Sequence, residues 1–220
     1  VGMDFRRAEG ELFETAISAF SGNITARRNA GGTNTDLGLF LEDDWTLGRL
    51  VLTLGARLDR WTIRDGFYTE RDASGGLLST DSFADRAGWD ASFRGGVLYR
   101  ANDVVALRAA AYSGLRLPTL NELYRPFVVF PVVTQANAGL ANEELRGFEG
   151  GIDWRPAEGI ELSLTAFDNR LENAIANVTL GANLRQRQNL PAIETRGIEA
   201  GLRATRGPIR FIARLSYSAP

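Results

Sequence analysis

Residues 50–59 read Leu50-Val51-Leu52-Thr53-Leu54-Gly55-Ala56-Arg57-Leu58-Asp59. Successive side chains of a strand point to opposite faces, so Leu50, Leu52, Leu54, Ala56 and Leu58 share one side. Val51, Thr53, Gly55, Arg57 and Asp59 share the other. One face is wholly apolar and the other carries charge. The same period recurs along the chain. Ile160, Leu162, Leu164 and Ala166 alternate with Glu161, Ser163, Thr165 and Phe167. Ile209, Phe211, Ala213, Leu215 and Tyr217 oppose Arg210, Ile212, Arg214 and Ser216, and Phe148, Gly150, Ile152 and Trp154 oppose Glu149, Gly151 and Asp153. Weaker repeats cover residues 37–46, 91–99, 105–112 and 197–203, with a partial strand over Gly2 to Arg7. The total is about nine strands, mostly of ten or more residues, against the usual five or six.

The connections alternate in length. Short ones fall at Leu47-Gly48-Arg49, Ala101-Asn102-Asp103, Arg155 to Gly159 and Arg206-Gly207-Pro208, each with Gly, Pro, Asn or Asp to meet tight-turn backbone demands. Long ones are expected over residues 8–33, 64–88, 115–144 and 172–190, with residues 10–20 as loop in preference to a short helix. Strict alternation puts every short turn on one rim of a sheet and every long loop on the other. That is the layout of an antiparallel, up-and-down transmembrane β-barrel. Trp45, Tyr99 and Trp154 precede short turns, while Trp61 and Trp89 flank a long loop, as bands of ring side chains at headgroup depth would. A soluble β-sandwich with a dry core is the competing all-β fold; it has less use for strands this long.

Composition narrows the chemistry. The 220 residues carry 25 basic and 27 acidic side chains, a formal net charge of -2, which gives nucleic acid no basic face to bind. All the basic residues are arginine. Histidine and cysteine are both absent, which removes disulfides, thiol nucleophiles, His-based triads and zinc sites built on thiolate or imidazole. No apolar run reaches the roughly 18 residues of a spanning helix, and no Gly-rich phosphate loop opens a helix. No enzyme, cofactor or metal is therefore expected. The start, Val1-Gly2-Met3-Asp4, reads as a chain entered mid-stream.

Several segments resemble a known family. Gly114-Leu115-Arg116-Leu117-Pro118-Thr119-Leu120-Asn121-Glu122-Leu123-Tyr124 is similar to the F-R-A-P-T-L-N-E-L-Y segment of TonB-dependent outer-membrane receptors. Asn137 to Glu144 resembles that family's N-P-N-L-x-x-E stretch, and Arg146-Gly147-Phe148-Glu149-Gly150 its next strand entry. Phe167 to Ile175 and Asn189 to Glu199 resemble a strand exit and the following entry; Leu39 to Trp45 and Leu54 to Asp59 resemble paired family strands. Leu117 replaces a small residue before Pro, and Ala138 stands where Pro is common.

The resemblance implies a barrel of about 22 strands with an N-terminal plug domain in its lumen. It implies import of ferric siderophores, cobalamin or similar large chelates across the Gram-negative outer membrane, energised through TonB. Nine strands in 220 residues is about 24 residues each, so about 22 strands need roughly 530. Residues 1–220 are thus expected to be a partial barrel domain without the plug or the terminal strands, and unable to insert or transport alone. A passive porin-like channel is the alternative.

Candidate site residues follow from loop position and chemistry. Arg116, Arg125, Arg185 and Arg187 lie at the expected outer mouth, where guanidinium suits the oxygens of an anionic chelate. Tyr68, Tyr124 and Phe67 could stack on a flat ligand or line the rim. The inward charges Glu42, Asp44, Arg57, Arg94, Arg108, Glu149, Asp153, Arg203, Arg210 and Arg214 are expected to solvate the lumen wall and pair with one another or with the plug. Alternation turns Asp43 away from Glu42 and Asp44, so these acids form no dyad. The motif at Leu115 to Tyr124 is expected to shape a strand exit, and the apolar run Phe127 to Val133 to fold onto the mouth or meet an apolar ligand.

Overall fold

A computed structural model describes residues 1–18 and 20–219. In chain order its elements are β1 (Gly2–Ile17), β2 (Ile24–Leu47), β3 (Leu50–Arg71), β4 (Leu77–Phe83), β5 (Arg86–Arg100) and β6 (Val105–Arg116). A short helix α1 (Leu120–Tyr124) follows, then β7 (Phe127–Val129), β8 (Val132–Gln135), β9 (Glu143–Ala157), β10 (Ile160–Gly181), β11 (Leu184–Arg206) and β12 (Ile209–Ala219). Nine of these form an antiparallel meander in one sheet: β1, β2, β3, β5, β6, β9, β10, β11 and β12. The expected nine strands are all present. Three short additions, β4, β7 and β8, belong to the long-loop rim.

Most of the expected loops are strand. The connection expected over residues 8–33 shrinks to residues 18–23, because β1 runs to Ile17 and β2 starts at Ile24; residue 19 lies outside the described residues. Residues 172–190 reduce to a two-residue turn, and residues 64–88 are taken up by β3, β4 and β5. The reason is solvation. Above the bilayer both faces of a strand meet water, so polar side chains on both faces hide the period while the hydrogen-bond ladder continues. β2, β3, β10 and β11 have 22 to 24 residues, whereas a tilted strand crosses hydrocarbon in about 9–11. Only residues 117–142 keep a long course outside the meander, and even this carries α1, β7 and β8.

The two faces of the sheet separate as the alternation demands. Leu54, Phe93, Phe148, Leu164 and Leu215 stand on the apolar face, between 48% and 71% exposed, with no second sheet to cover them. A sandwich would bury those side chains; a membrane-facing belt leaves them out. Trp45, Tyr99 and Trp154 sit exposed beside the short turns, and Trp89 beside the outer rim. Trp61 departs from the expected girdle: it shares the parity of Arg57 and Asp59, lies inward and buried, and donates its indole N–H to Asp90 at 2.6 Å.

Charges on the opposite face pair with one another, along a strand or across strands. Arg57 reaches Asp59 at 2.5 Å and Asp4, two strands away, at 2.5 Å. Arg94 pairs with Glu42, Arg108 with Asp153 at 3.4 Å and Glu149 at 3.9 Å, and Arg203 with Glu161 at 2.8 Å. A wet wall built this way needs no plug to satisfy these particular charges. At the short-turn rim, Gly48 and Gly207 take positive φ of 62° and 58°, a conformation that side chains with a Cβ disfavour.

Candidate functional site

The mouth is built around a strap, residues 117–142, that leaves β6 and returns at β9. A bulge prepares its seat. β2 pairs Gly31 with Phe67 and Thr33 with Arg64, so β3 carries one extra residue there, and Asp65 adopts φ 55° with its N–H donated to Asp85 at 3.2 Å. The extra residue switches the parity of β3. Tyr68 and Glu70 therefore turn inward beyond the bulge, and Phe67 turns to the other face.

The strap itself is pinned locally by its own sequence. Pro118 ends the β6 ladder, and Thr119 caps α1 in a reciprocal box: Glu122 N–H donates to the Thr119 hydroxyl at 3.2 Å, and Thr119 N–H to the Glu122 carboxylate at 2.8 Å. Leu123, Tyr124 and Leu140 then pack on Ala30, Trp61 and Ile63 in a small buried cluster. Tyr124 stacks on Phe83 with ring centroids 4.9 Å apart.

Arginines fix the strap at three more points, two through ion pairs and one through backbone carbonyls. Arg116 binds Glu143 and meets Glu122 at 3.0 Å. Arg125 reaches Glu14 on β1 at 2.9 Å, and Arg28 bridges Glu14 and Glu70 at 3.2 and 3.3 Å. Arg187 on β11 donates to the Asn121 carbonyl and, at 3.0 Å, to that of Arg125, while lying over the Phe127 ring. On the far side β8 pairs in parallel with the tip of β11, and Phe130 meets Phe20 of the β1–β2 connection edge-on at 5.5 Å. The strap thus crosses the concave face from β1–β3 to β11.

Electrostatics follows from these contacts. Burial alone would raise the Glu14 carboxyl, but hydrogen bonds from Arg125 and Arg28 outweigh it and hold the group below its ordinary value. Glu122 and Glu143 behave alike: burial opposes ionisation, and Arg116 with nearby N–H groups overcomes it. Burial and the neighbouring Glu70 push the Tyr68 hydroxyl up; that hydroxyl donates to Glu70 at 2.5 Å.

Of the six candidate contacts, Arg116, Arg125 and Arg187 have their guanidinium groups engaged in holding the strap. Tyr124 is buried beneath it, and Tyr68 packs beside it. Arg185 stands apart on β11, opposite Thr179 and level with Thr134 of β8, with no ion pair among the described residues. The partners Glu14, Asn34, Arg86 and Glu143 carry no signal as single residues. Only Glu143, inside the family-like Asn137 to Glu144 stretch, could have been found from sequence. Arg86 donates to the carbonyls of Ala138 and Leu140 at 2.7 Å each, and Asn34 to that of Pro118 at 3.3 Å.

Between the strap and the inner wall of β1–β3 lies a half-open cavity of about 820 Å³, lined in part by Arg6, Asn34, Asp36, Arg57, Arg116 and Asn121. Its size lies within the range of small-molecule sites, and its lining is mixed in charge. The described residues contain no cluster of three or more His, Cys, Asp or Glu able to hold a metal ion. What the arrangement offers is binding and enclosure.

A lipid-facing belt, a polar inner wall and a strapped outer mouth together define an outer-membrane β-barrel protein of a Gram-negative bacterium. The chain belongs to the family described as TonB dependent receptor-like, beta-barrel, whose model matches residues 1–219. No curated protein matches it in sequence. Among solved structures it is similar to a double mutant of the Serratia marcescens hemophore receptor HasR in complex with its hemophore HasA and heme, with 17% identity and TM-score 0.69, over 98% of this chain and 41% of that one. The ferric yersiniabactin uptake receptor FyuA from Yersinia pestis aligns with 11% identity and TM-score 0.73, over 98% of this chain and 31% of its own. The copper transporter OprC aligns with 16% identity and TM-score 0.66, over 98% and 34%. At such identities the likeness is one of fold. The chain spans between about a third and two fifths of these structures. By their names two are receptors and one is a transporter.

Proposed function

We propose that this chain is part of the barrel of an energised receptor that imports a ferric siderophore or similar large chelate, with a plug domain in its lumen and TonB as its energy-coupling partner. One observation carries the reading: the strap is folded across the concave face and anchored on both sides of it, over a cavity of about 820 Å³. An open porin has no use for a mouth held across in this way, whereas a receptor must bind its cargo at the outer surface before moving it. The named cargos of the structural relatives, heme, ferric yersiniabactin and copper, support a scarce metal or its chelate as the class. Arg185 is the candidate cargo contact not already committed to the strap, and Arg116, Arg125 and Arg187 become available only if the strap moves. The test is uptake of a labelled ferric catecholate by cells that depend on the protein containing this chain. Uptake should vanish when TonB is deleted. Uptake at the same rate without TonB would instead support the passive channel.

A further inference from the structure

Among the described residues, β10 has an edge that no strand covers. β9 pairs with it only as far out as Glu144 opposite Glu172, while β10 runs on against β11 to Gly181. Ile175 shows which way that edge faces: its N–H donates to the Glu143 carboxylate of β9 at 2.6 Å. Alternation turns the N–H and C=O of Asn177 and Thr179 the same way, and both residues are exposed. Unpaired strand edges are templates for a further strand. Both sheet neighbours of β10, β9 and β11, are already in place, so no additional barrel strand can take this edge.

The strap's own return arm, residues 137–142, fits it. Carrying the β9–β10 register outward sets Ala141 opposite Ile175, Gly139 opposite Asn177 and Asn137 opposite Thr179. In the docked strap, side chains hold both members of the first pair. Asn189, directly opposite Ile175 on β11, accepts from the Ala141 N–H at 2.9 Å and donates to its carbonyl at 3.2 Å. Glu143 meanwhile takes the Ile175 N–H. The Gly139 N–H turns back to the Asn137 side chain at 2.9 Å, and Leu140 is buried in the cluster with Tyr124. No proline lies within the arm, so each of its residues can join a ladder.

We propose that the strap has a second seat: on leaving the cavity, residues 137–142 zip onto β10 as an outward extension of β9. Ladder bonds between Ala141 and Ile175 then replace the two side-chain surrogates, Asn189 and Glu143. Leu140 moves from the buried cluster to the opposite face of the sheet, beside Ala176. The cavity beneath the strap opens outward while the arm stays ordered at its root. The inference rests on strand register and not on the import reading.

The experiment uses the whole outer-membrane protein containing this chain, in mild detergent. Tyr124→Ala/Arg86→Gln releases the strap by removing the buried ring and the donor to the Ala138 and Leu140 carbonyls. Amide exchange at Asn177 and Thr179 should slow at least tenfold in this variant relative to the native protein. Adding Asn177→Pro, whose missing N–H faces the open edge and costs β11 nothing, should return Thr179 to the native rate. Unchanged exchange in the released variant overturns the proposal, as does slowing that survives Asn177→Pro. Should the double variant fail to fold or to release the strap, a cysteine pair decides, since the 220 residues contain no cysteine. Ala138→Cys/Val178→Cys is directly opposed in the proposed register, at a spacing of about 4.5 Å that a disulfide spans. Under mild oxidation it should cross-link at least tenfold faster than Ala138→Cys/Ala176→Cys, a diagonal pair of about 7–8 Å. Equal rates for the two pairs, or no cross-link in either, overturn the second seat.

Discussion

Tyr124 is the residue on which the strap turns. Its ring lies under the strap against Phe83, and Gly66 on β3 is the wall behind it: a Cβ there would run into the tyrosine ring. Gly66→Ala should therefore push Tyr124 out of its seat even though Gly66 touches no ligand and carries no charge. Tyr124→Ala removes the ring itself, which on the scale of buried aromatic truncations costs about 3 kcal/mol of strap docking. Both variants should open the strap to trypsin after Arg116, a bond that the docked strap should protect; Arg125 precedes Pro126 and offers no tryptic site. Tyr68→Phe is the contrast. It removes one hydroxyl donor to Glu70, worth about 1 kcal/mol, and should leave the cleavage pattern nearly unchanged. Equal protection in Tyr124→Ala and the native protein would mean that the ion pairs alone hold the strap.

As an element, the strap depends on carboxylates that stay ionised. Glu14, Glu122 and Glu143 are all held below the ordinary glutamate value of about 4.3, so each favours the docked strap when deprotonated. Their contribution is complete above that value and is lost as pH falls through their lowered ones. Hydrogen exchange across residues 117–142 should thus be flat from pH 7 to about 5, after correction for intrinsic rates, and rise below about 4. Glu14→Gln should show weaker protection already at pH 7, because Arg28 and Arg125 lose their shared partner. This element was also the least legible in the sequence. The spanning strands announce themselves because lipid on one face and water on the other force a period of two, as at Leu50 to Asp59. Above the membrane that contrast disappears: Glu9, Glu11, Arg27, Arg28 and Asn29 are polar whichever way they point, and so β1 and β2 read as loop. The bulge at Asp65, which decides that Tyr68 and not Phe67 faces the strap, depends on one left-handed residue that alternation cannot announce. Pro118 and the Thr119–Glu122 box were readable as a strand exit, but their distant anchors, Glu14 and Arg187, were not.

At the scale of the whole molecule, the sheet has two open margins. β1 pairs only with β2, and β12 only with β11, among the described residues. About half of the backbone groups along each margin point away from the existing partner. Over the roughly ten residues that cross hydrocarbon, that leaves about five N–H and five C=O groups per edge, each costing several kcal/mol in lipid without a partner. The sum is tens of kcal/mol, more than the marginal net stability of an ordinary domain. The apolar belt cannot compensate, since it is satisfied by lipid only if the sheet enters the bilayer, and entering exposes the edges. The 220 residues expressed alone should therefore be unable to form a stable barrel. Refolded into vesicles, they should give no band whose mobility shifts on heating in detergent, and no protease-resistant fragment from the spanning strands. Supplying the further strands that join β1 to β12 should restore both signatures. A protease-resistant, heat-shifting monomer of the 220 residues alone would mean that these edges close on each other, and that the nine strands form a complete small barrel.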